Sequence, residues 1–376
     1  MVFEIKDGKG KGKEYYSNGK LEFDGKYLNG ERNGKGKEYN YIDELEFKGE
    51  YLNGKRNGKG KEYIINTDIL IFQGEYLKGE RNGKGKEYYF DGKLKFEGEY
   101  FYGKKWNGKG YNYYLDNLNM IYEIKDGNGT IKEYYDNGNL EFEGDYLNGE
   151  RNGKGKEYYN NGELKFEGEY LNGKRSGEGK EYSDKGKLKF EGEYLYGERN
   201  GKGKEYSDKG KLIYEGEYLY GERHGNGKEY YENCILKFEG EYIDGERNGY
   251  GKKYNIYNNC GILVYKGYYL YGIRHGKGKE YKYNGILKYK GEFSNGERHG
   301  KGKEYYDNGK LEFEGEYFNG KRSGEGKEYY DNGQLKYEGK YFYGERNGEG
   351  KEYNIDGELI WKRILKWEKN WKLIIH

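Results

Sequence analysis

The sequence predicts an all-β fold, an elongated single-layer antiparallel β-hairpin repeat array. Three observations carry the prediction. A 24-residue unit recurs along the chain, apolar and charged residues alternate within it, and Gly-containing turn pairs punctuate it. A clear copy runs from Gly291 to Glu314, GEFSNGERHGKGKEYYDNGKLEFE, and Gly315 starts it again. The opening glycine stands at Gly25, Gly49, Gly74 and Gly98. After a 46-residue interval it resumes at Gly144 and continues to Gly339, with one 27-residue step between Gly240 and Gly267.

Within a unit, Leu311, Phe313, Gly315 and Tyr317 alternate with Glu312, Glu314 and Glu316, the pattern of a half-buried strand. Gly302–Tyr306, GKEYY, reads as the second strand. Asp307-Asn308-Gly309 joins the two, since Asn-Gly accepts positive φ cheaply. Asn319-Gly320-Lys321-Arg322-Ser323-Gly324 reads as the opposite turn. The copies serve as an internal alignment. The Leu311, Phe313, Tyr317 and Tyr305 positions hardly vary, so packing is expected to bury them as an aromatic ladder. The Tyr306 position accepts Asn40, Ile64, Ser183 and Lys282, so it is expected to be solvated. Lys303 and Glu304 are nearly constant, and Lys–Glu ladders are the expected reason, although exposed pairs contribute little singly.

Residues 3–25 and 122–144 align without gaps, so the chain divides into a first sub-array, 1–121, and a second, 122–361, with a seam at Tyr113–Tyr122. A short C-terminal cap, 362–376, follows. Ile360, Ile364, Trp367, Trp371 and Ile374 fall at helical spacing there.

Composition narrows the function. Formal charge is +2, from 69 basic and 67 acidic residues, which gives no overall field for nucleic acid. Apolar content is 33%, low for a compact domain, but 51 Tyr argue for order rather than disorder. No apolar run is long enough for a membrane helix and the N-terminus lacks a signal-peptide core, so a soluble cytoplasmic protein is expected.

The pattern NG-x-L-x-F-x-G-x-Y-x-x-G-x-x-x-G-x-G-K-x-Y, repeated in phase from about residue 3 to 361, resembles the MORN repeat, and specifically its second variant as seen in YwqK-like bacterial proteins. The resemblance implies an array of hairpins serving as a scaffold, by protein contact or self-association. Membrane attachment through phospholipid, as a tether, is the alternative it implies. An antitoxin-type binder of one specific partner is a second alternative.

No residues call for catalysis or a cofactor. The G-x-G steps lack the following helix of a phosphate loop. His224, His275 and His299 occupy a turn position that is Asn33 or Ser176 elsewhere. Cys234 and Cys260, two strands apart, are expected about 9–10 Å from one another, too far for a disulfide. No catalytic, metal or small-molecule site is expected, and the chain reads as non-enzymatic. The candidate contact residues lie in the tail: Lys362, Arg363, Lys366, Trp367, Lys369, Trp371 and Lys372. They read first as a cap over the last strand's edge and second as a basic face against an anionic membrane.

Overall fold

The computed structural model describes residues 2–6, 8–65, 67–112 and 120–365. Among them every regular element is a β-strand, and each pairs antiparallel with its neighbour in sequence. The chain forms two compact units, Met1–Leu188 with Tyr194–Glu198, and Lys189–Glu193 with Arg199–His376.

In the second unit, one repeat shows the logic of all. The strands Glu297–Tyr305 and Leu311–Phe318 pair through Gly302↔Gly315, and Leu311–Phe318 then pairs with Lys321–Tyr329 through Gly315↔Gly326. Phe313 lies over these glycines and is fully buried. A Cβ on Gly326 would come within 2.6 Å of its ring, so only glycine admits the ring this close to the backbone. Tyr317 is 3% exposed. Edge-to-face contacts link Phe313 to Tyr317 at 5.6 Å and to Tyr341 at 5.1 Å, and the same pairing repeats from unit to unit. Each such contact contributes about 0.5–1.5 kcal/mol beyond area burial.

The predicted six-residue turn is shorter in the structure. Asn319 and Gly320 alone make it, with φ of 46° and 78°, between the paired Phe318 and Lys321. This is the two-residue hairpin turn with both central residues at positive φ. Lys321, Arg322 and Ser323 belong to the next strand, and Gly324, at φ 66°, opens a bulge that hides the strand in the sequence. Turns are also tied together along this edge. Gly320 N donates to Arg298 O at 2.9 Å, and Gly344 N donates to Arg322 O at 2.9 Å.

Two burial expectations change. Leu311 and Tyr305 are only half-buried. A bulge sets Glu304 opposite Phe313 and Tyr305 opposite Leu311, leaving Glu312 outside the register. That extra residue turns Leu311 away from the aromatic face, and Tyr305, the residue after Glu304, falls on the other face by simple alternation. The Tyr306 position, in turn, is not solvated. Tyr306 is half-buried and its hydroxyl donates to Tyr329 O at 2.6 Å. Its counterparts Asn40 and Ser183 are 5% and 7% exposed. Ser183 accepts there from the backbone of Lys185 and Lys187, so the position tolerates Ser because a turn needs an acceptor.

In the first unit, the strands from Val2–Lys6 to Met120–Ile124 form an eleven-stranded sheet, and Gly129–Tyr134 begins the next. The seam falls later than the expected Tyr113–Tyr122: Lys104–Tyr111 still pairs with Met120–Ile124, and beyond that the ladder narrows to a single bridge, Lys125↔Asn128. Packing continues across it: Tyr122, Ile124 and Ile131 join the cluster that holds Phe96 and Tyr100, with Tyr146 against it. The edge bonds persist as well, from Gly127 N to Trp106 O and from Gly149 N to Gly127 O, both 2.8 Å.

The tail's helical spacing is not realised where it is described. Leu359–Leu365 is a strand, pairing Trp361 with Glu352 and Arg363 with Gly350. Unpaired backbone groups on the preceding strand favour extension of the ladder over a helix. Lys366, Trp367, Lys369, Trp371 and Lys372 lie outside the described residues.

Candidate functional site

The two faces of the sheet carry two different charge ladders. On the aromatic face, one arginine per unit lies flat on a buried ring. Arg322 Cζ is 4.2 Å from the Phe313 centroid and Arg247 Cζ is 4.3 Å from that of Phe238. Apart from Arg274, the arginines also bind the glutamate of the preceding unit. Arg247 reaches Glu229 through Nε at 2.8 Å and Nη2 at 2.7 Å, while Arg298 bridges Glu280, at 2.8 Å, and Glu304. Tyr242 donates to the same Glu229 at 2.7 Å. Burial alone would raise the Glu229 pKa, but bonds from Arg247 and Tyr242 outweigh it and hold the carboxyl down at about 2. In the first unit Lys105 takes the arginine's place. Burial again opposes ionisation of Glu87, but Lys105, Lys95 and Arg81 bring its pKa to about 2. The constant Glu304 column is thus explained by arginine rather than lysine. The signal was present in sequence, as an Arg in the same turn-adjacent position of nearly every unit.

Lys253 breaks this ladder in its unit. It stands where nearly every other unit has glutamate, and burial with the charges of Arg274 and Arg247 lowers its pKa. The same unit has the longest hairpin, Glu246–Tyr257 with Cys260–Leu270, turned by Asn258 and Asn259 at φ 50° and 60°. Cys234 and Cys260 are exposed free thiols.

On the opposite face run the lysines of the Lys303 column and the glutamates of the Glu314 column. Lys303 Nζ meets Glu314 Oε2 at 2.7 Å, and Tyr329 donates to Glu314 at 2.7 Å. This face forms a groove in each unit. That of the second unit encloses about 1230 Å³ and runs from Tyr250 to Lys362. That of the first encloses about 1120 Å³ and runs from Lys11 to Glu99. Ten lysines face six glutamates in the former, and nine lysines face five acids in the latter. The near-neutral sequence therefore hides cationic grooves.

Of the sequence-predicted contact residues, Lys362 lines the second unit's groove and Arg363 lies beside it in the same strand. Among the described residues no group of three or more His, Cys, Asp or Glu side chains is placed to hold a metal ion. Nor, among the described residues, is any helix long and apolar enough to cross a membrane.

Comparison with known proteins matches the MORN repeat at residues 23–40, 47–68, 72–93, 142–163, 166–187, 190–211, 214–233, 238–254, 265–286, 289–310, 313–335 and 337–358. The MORN repeat variant matches at 9–29 and 127–148, the two starting blocks. No curated protein sequence matches. Among solved structures, the crystal structure of TcdB2-TccC3-Cdc42 aligns at 10% identity with a TM-score of 0.17, over 91% of this chain and 22% of that one. The Photorhabdus luminescens Tc holotoxin pore aligns at 10% identity with a TM-score of 0.14, over 91% and 22%. Structural likeness at these scores carries no argument. The in-phase matches along most of the chain, on a sheet built of repeated hairpins, do: the chain belongs to the MORN repeat family.

Proposed function

We propose that the chain is a non-enzymatic scaffold that engages a protein partner through its grooved face. The observation that supports this is the contrast between columns. The aromatic face repeats Phe or Tyr, Arg and Glu in almost every unit, and its half-buried carboxylates are committed to the arginines that link units. A carboxylate whose oxygens are taken up by arginine is poorly placed to exchange a proton with a substrate. On the grooved face the Lys303 column is nearly constant, but the Glu314 column facing it changes from unit to unit, to Lys48, Gln73, Lys266 and Lys290, as a recognition surface does. MORN repeats fit such a role.

The test is quantitative affinity capture from the source cytosol, with co-sedimentation on anionic vesicles alongside. A single stoichiometric protein partner is the expected result. Retention by vesicles with no protein partner would overturn the proposal in favour of a membrane tether.

A further inference from the structure

Like charges directly opposite one another destabilise a sheet, and the grooved face mostly alternates sign. Lys228 faces Glu239 and Lys327 faces Glu338. Between these the alternation lapses at four consecutive pairs. Lys252, Lys266, Lys279, Lys290 and Lys303 stand in direct register on five successive strands. Only the ends find acids: Lys252 reaches Glu239 at 2.6 Å and Lys303 reaches Glu314 at 2.7 Å. Among the described residues no carboxylate lies within ion-pair reach of Lys266, Lys279 or Lys290. Lys266 Nζ sits instead 5.9 Å from the ring centroid of Tyr250, which pairs with Tyr268, and both tyrosines line the groove.

The charge of this groove is also divided along its length. From Tyr250 to Lys303 its lining holds six lysines and one acid, Glu292. From Glu314 to Lys362 it holds four lysines and five glutamates. A nucleic acid or an anionic bilayer carries one sign throughout, so it would suit the first half and be repelled by the second. A polypeptide can carry an acidic block followed by a mixed one. The stripe begins in the unit that also breaks the arginine–glutamate ladder, at Lys253, and extends the hairpin. Departures on both faces thus converge on one place.

We infer that the second unit's groove docks an extended polypeptide segment of the partner, lying across the strands, with an acidic block over Lys266, Lys279 and Lys290 and a mixed-charge block over Glu314–Lys362. Five strands at about 4.8 Å span roughly 19 Å, the reach of about six extended residues, which sets the length of the acidic block. Tyr250 and Tyr268 would cover its aliphatic or aromatic neighbours. This inference rests on the protein-interaction reading above and names the chemistry of its partner.

The test uses the full chain and a fluorescent peptide of about fourteen residues, six Glu or Asp followed by alternating Lys and Glu, enough to span both halves of the groove. Anisotropy should show saturable binding that weakens with salt. The double variant Lys266→Glu/Lys290→Glu should bind about tenfold more weakly or worse. It places glutamate where Glu314 and Glu338 already stand, so it folds. A peptide of the same composition with its charges evenly mixed should bind less well. Equal binding of the two peptides, or of the variant and the parent, would overturn the inference. So would tighter binding of oligothymidylate or phosphatidylserine vesicles that the double variant abolishes. A natural protein partner whose affinity ignores the double variant would overturn this groove assignment and leave the scaffold role standing.

Discussion

The aromatic face and the grooved face are built from alternate residues of the same strands, yet they obey opposite rules. On the aromatic face, Phe313, Tyr317 and Arg322 have counterparts in nearly every unit, because each ring needs a glycine floor, an arginine lid and a glutamate to hold the lid. On the grooved face the Glu314 column becomes Lys48, Gln73, Lys266 and Lys290. Constancy marks what each unit needs in order to stack, and drift marks what it can offer to others. The difference teaches that, in a repeat protein, the search for function starts at the columns that the fold leaves alone.

The comparison can be broken most sharply at a ring. Phe313→Ala should cost about 3–5 kcal/mol, because it empties a fully buried site above glycines that cannot close in. Tyr329→Phe, which removes only a half-buried hydroxyl bonded to Glu314 across the grooved face, should cost about 1–2 kcal/mol. Denaturant midpoints of the two variants read the difference, and equal losses would mean the faces contribute alike.

Acid probes the same contrast. Glu229 has a pKa of about 2 in the folded chain, below that of the unfolded chain. Its contribution, on the order of 1–3 kcal/mol, is therefore complete above about pH 4.5 and is lost as pH falls toward 2. Unfolding followed between pH 6 and 2 should show stability falling through this window. Replacing Glu229 with Gln should flatten that fall.

Two further substitutions sharpen the comparison by restoring the repeat. Lys253→Glu would give Arg274 and Arg247 an acid between them and should add about 1–2 kcal/mol, read as a raised thermal midpoint. Lys266→Glu/Lys290→Glu should add about 0.2–1 kcal/mol for each of the four cross-strand pairs it restores, while removing the cationic stripe. A variant that gains stability as it loses peptide binding would show that the stripe is maintained against the interest of the fold.

Much of this architecture is legible in sequence. Period-two alternation marks Leu311–Phe318, the Asn319-Gly320 pair marks its turn, and the unvarying Phe313 and Tyr317 columns mark the core. The face of Leu311 is not legible, because a one-residue bulge at Glu312 leaves the alternation intact on paper while rotating the strand, whereas that of Tyr305 follows from alternation once Glu304 is placed against the arginines. Arg322 was hidden among turn-like residues, since Gly324 at positive φ makes the start of a strand resemble a loop. The helical spacing of Ile360 and Ile364 is too short a sample to tell helix from strand, and the open ladder decides in favour of a strand. The cationic stripe is visible in sequence only once the register is known, since Lys266 and Lys290 become neighbours of Lys279 through pairing alone.

The seam at Lys125↔Asn128 has a consequence of its own. A row of repeats behaves as a one-dimensional chain of coupled elements, each steadied by its neighbours. Where one coupling is weak, fluctuations do not travel across it. Here rings and two edge hydrogen bonds remain, but the ladder is reduced to one bridge. The seam is then a domain wall. Amide exchange should proceed with one opening energy in the strands before Ile124 and another in those after Gly129, each loosening without the other.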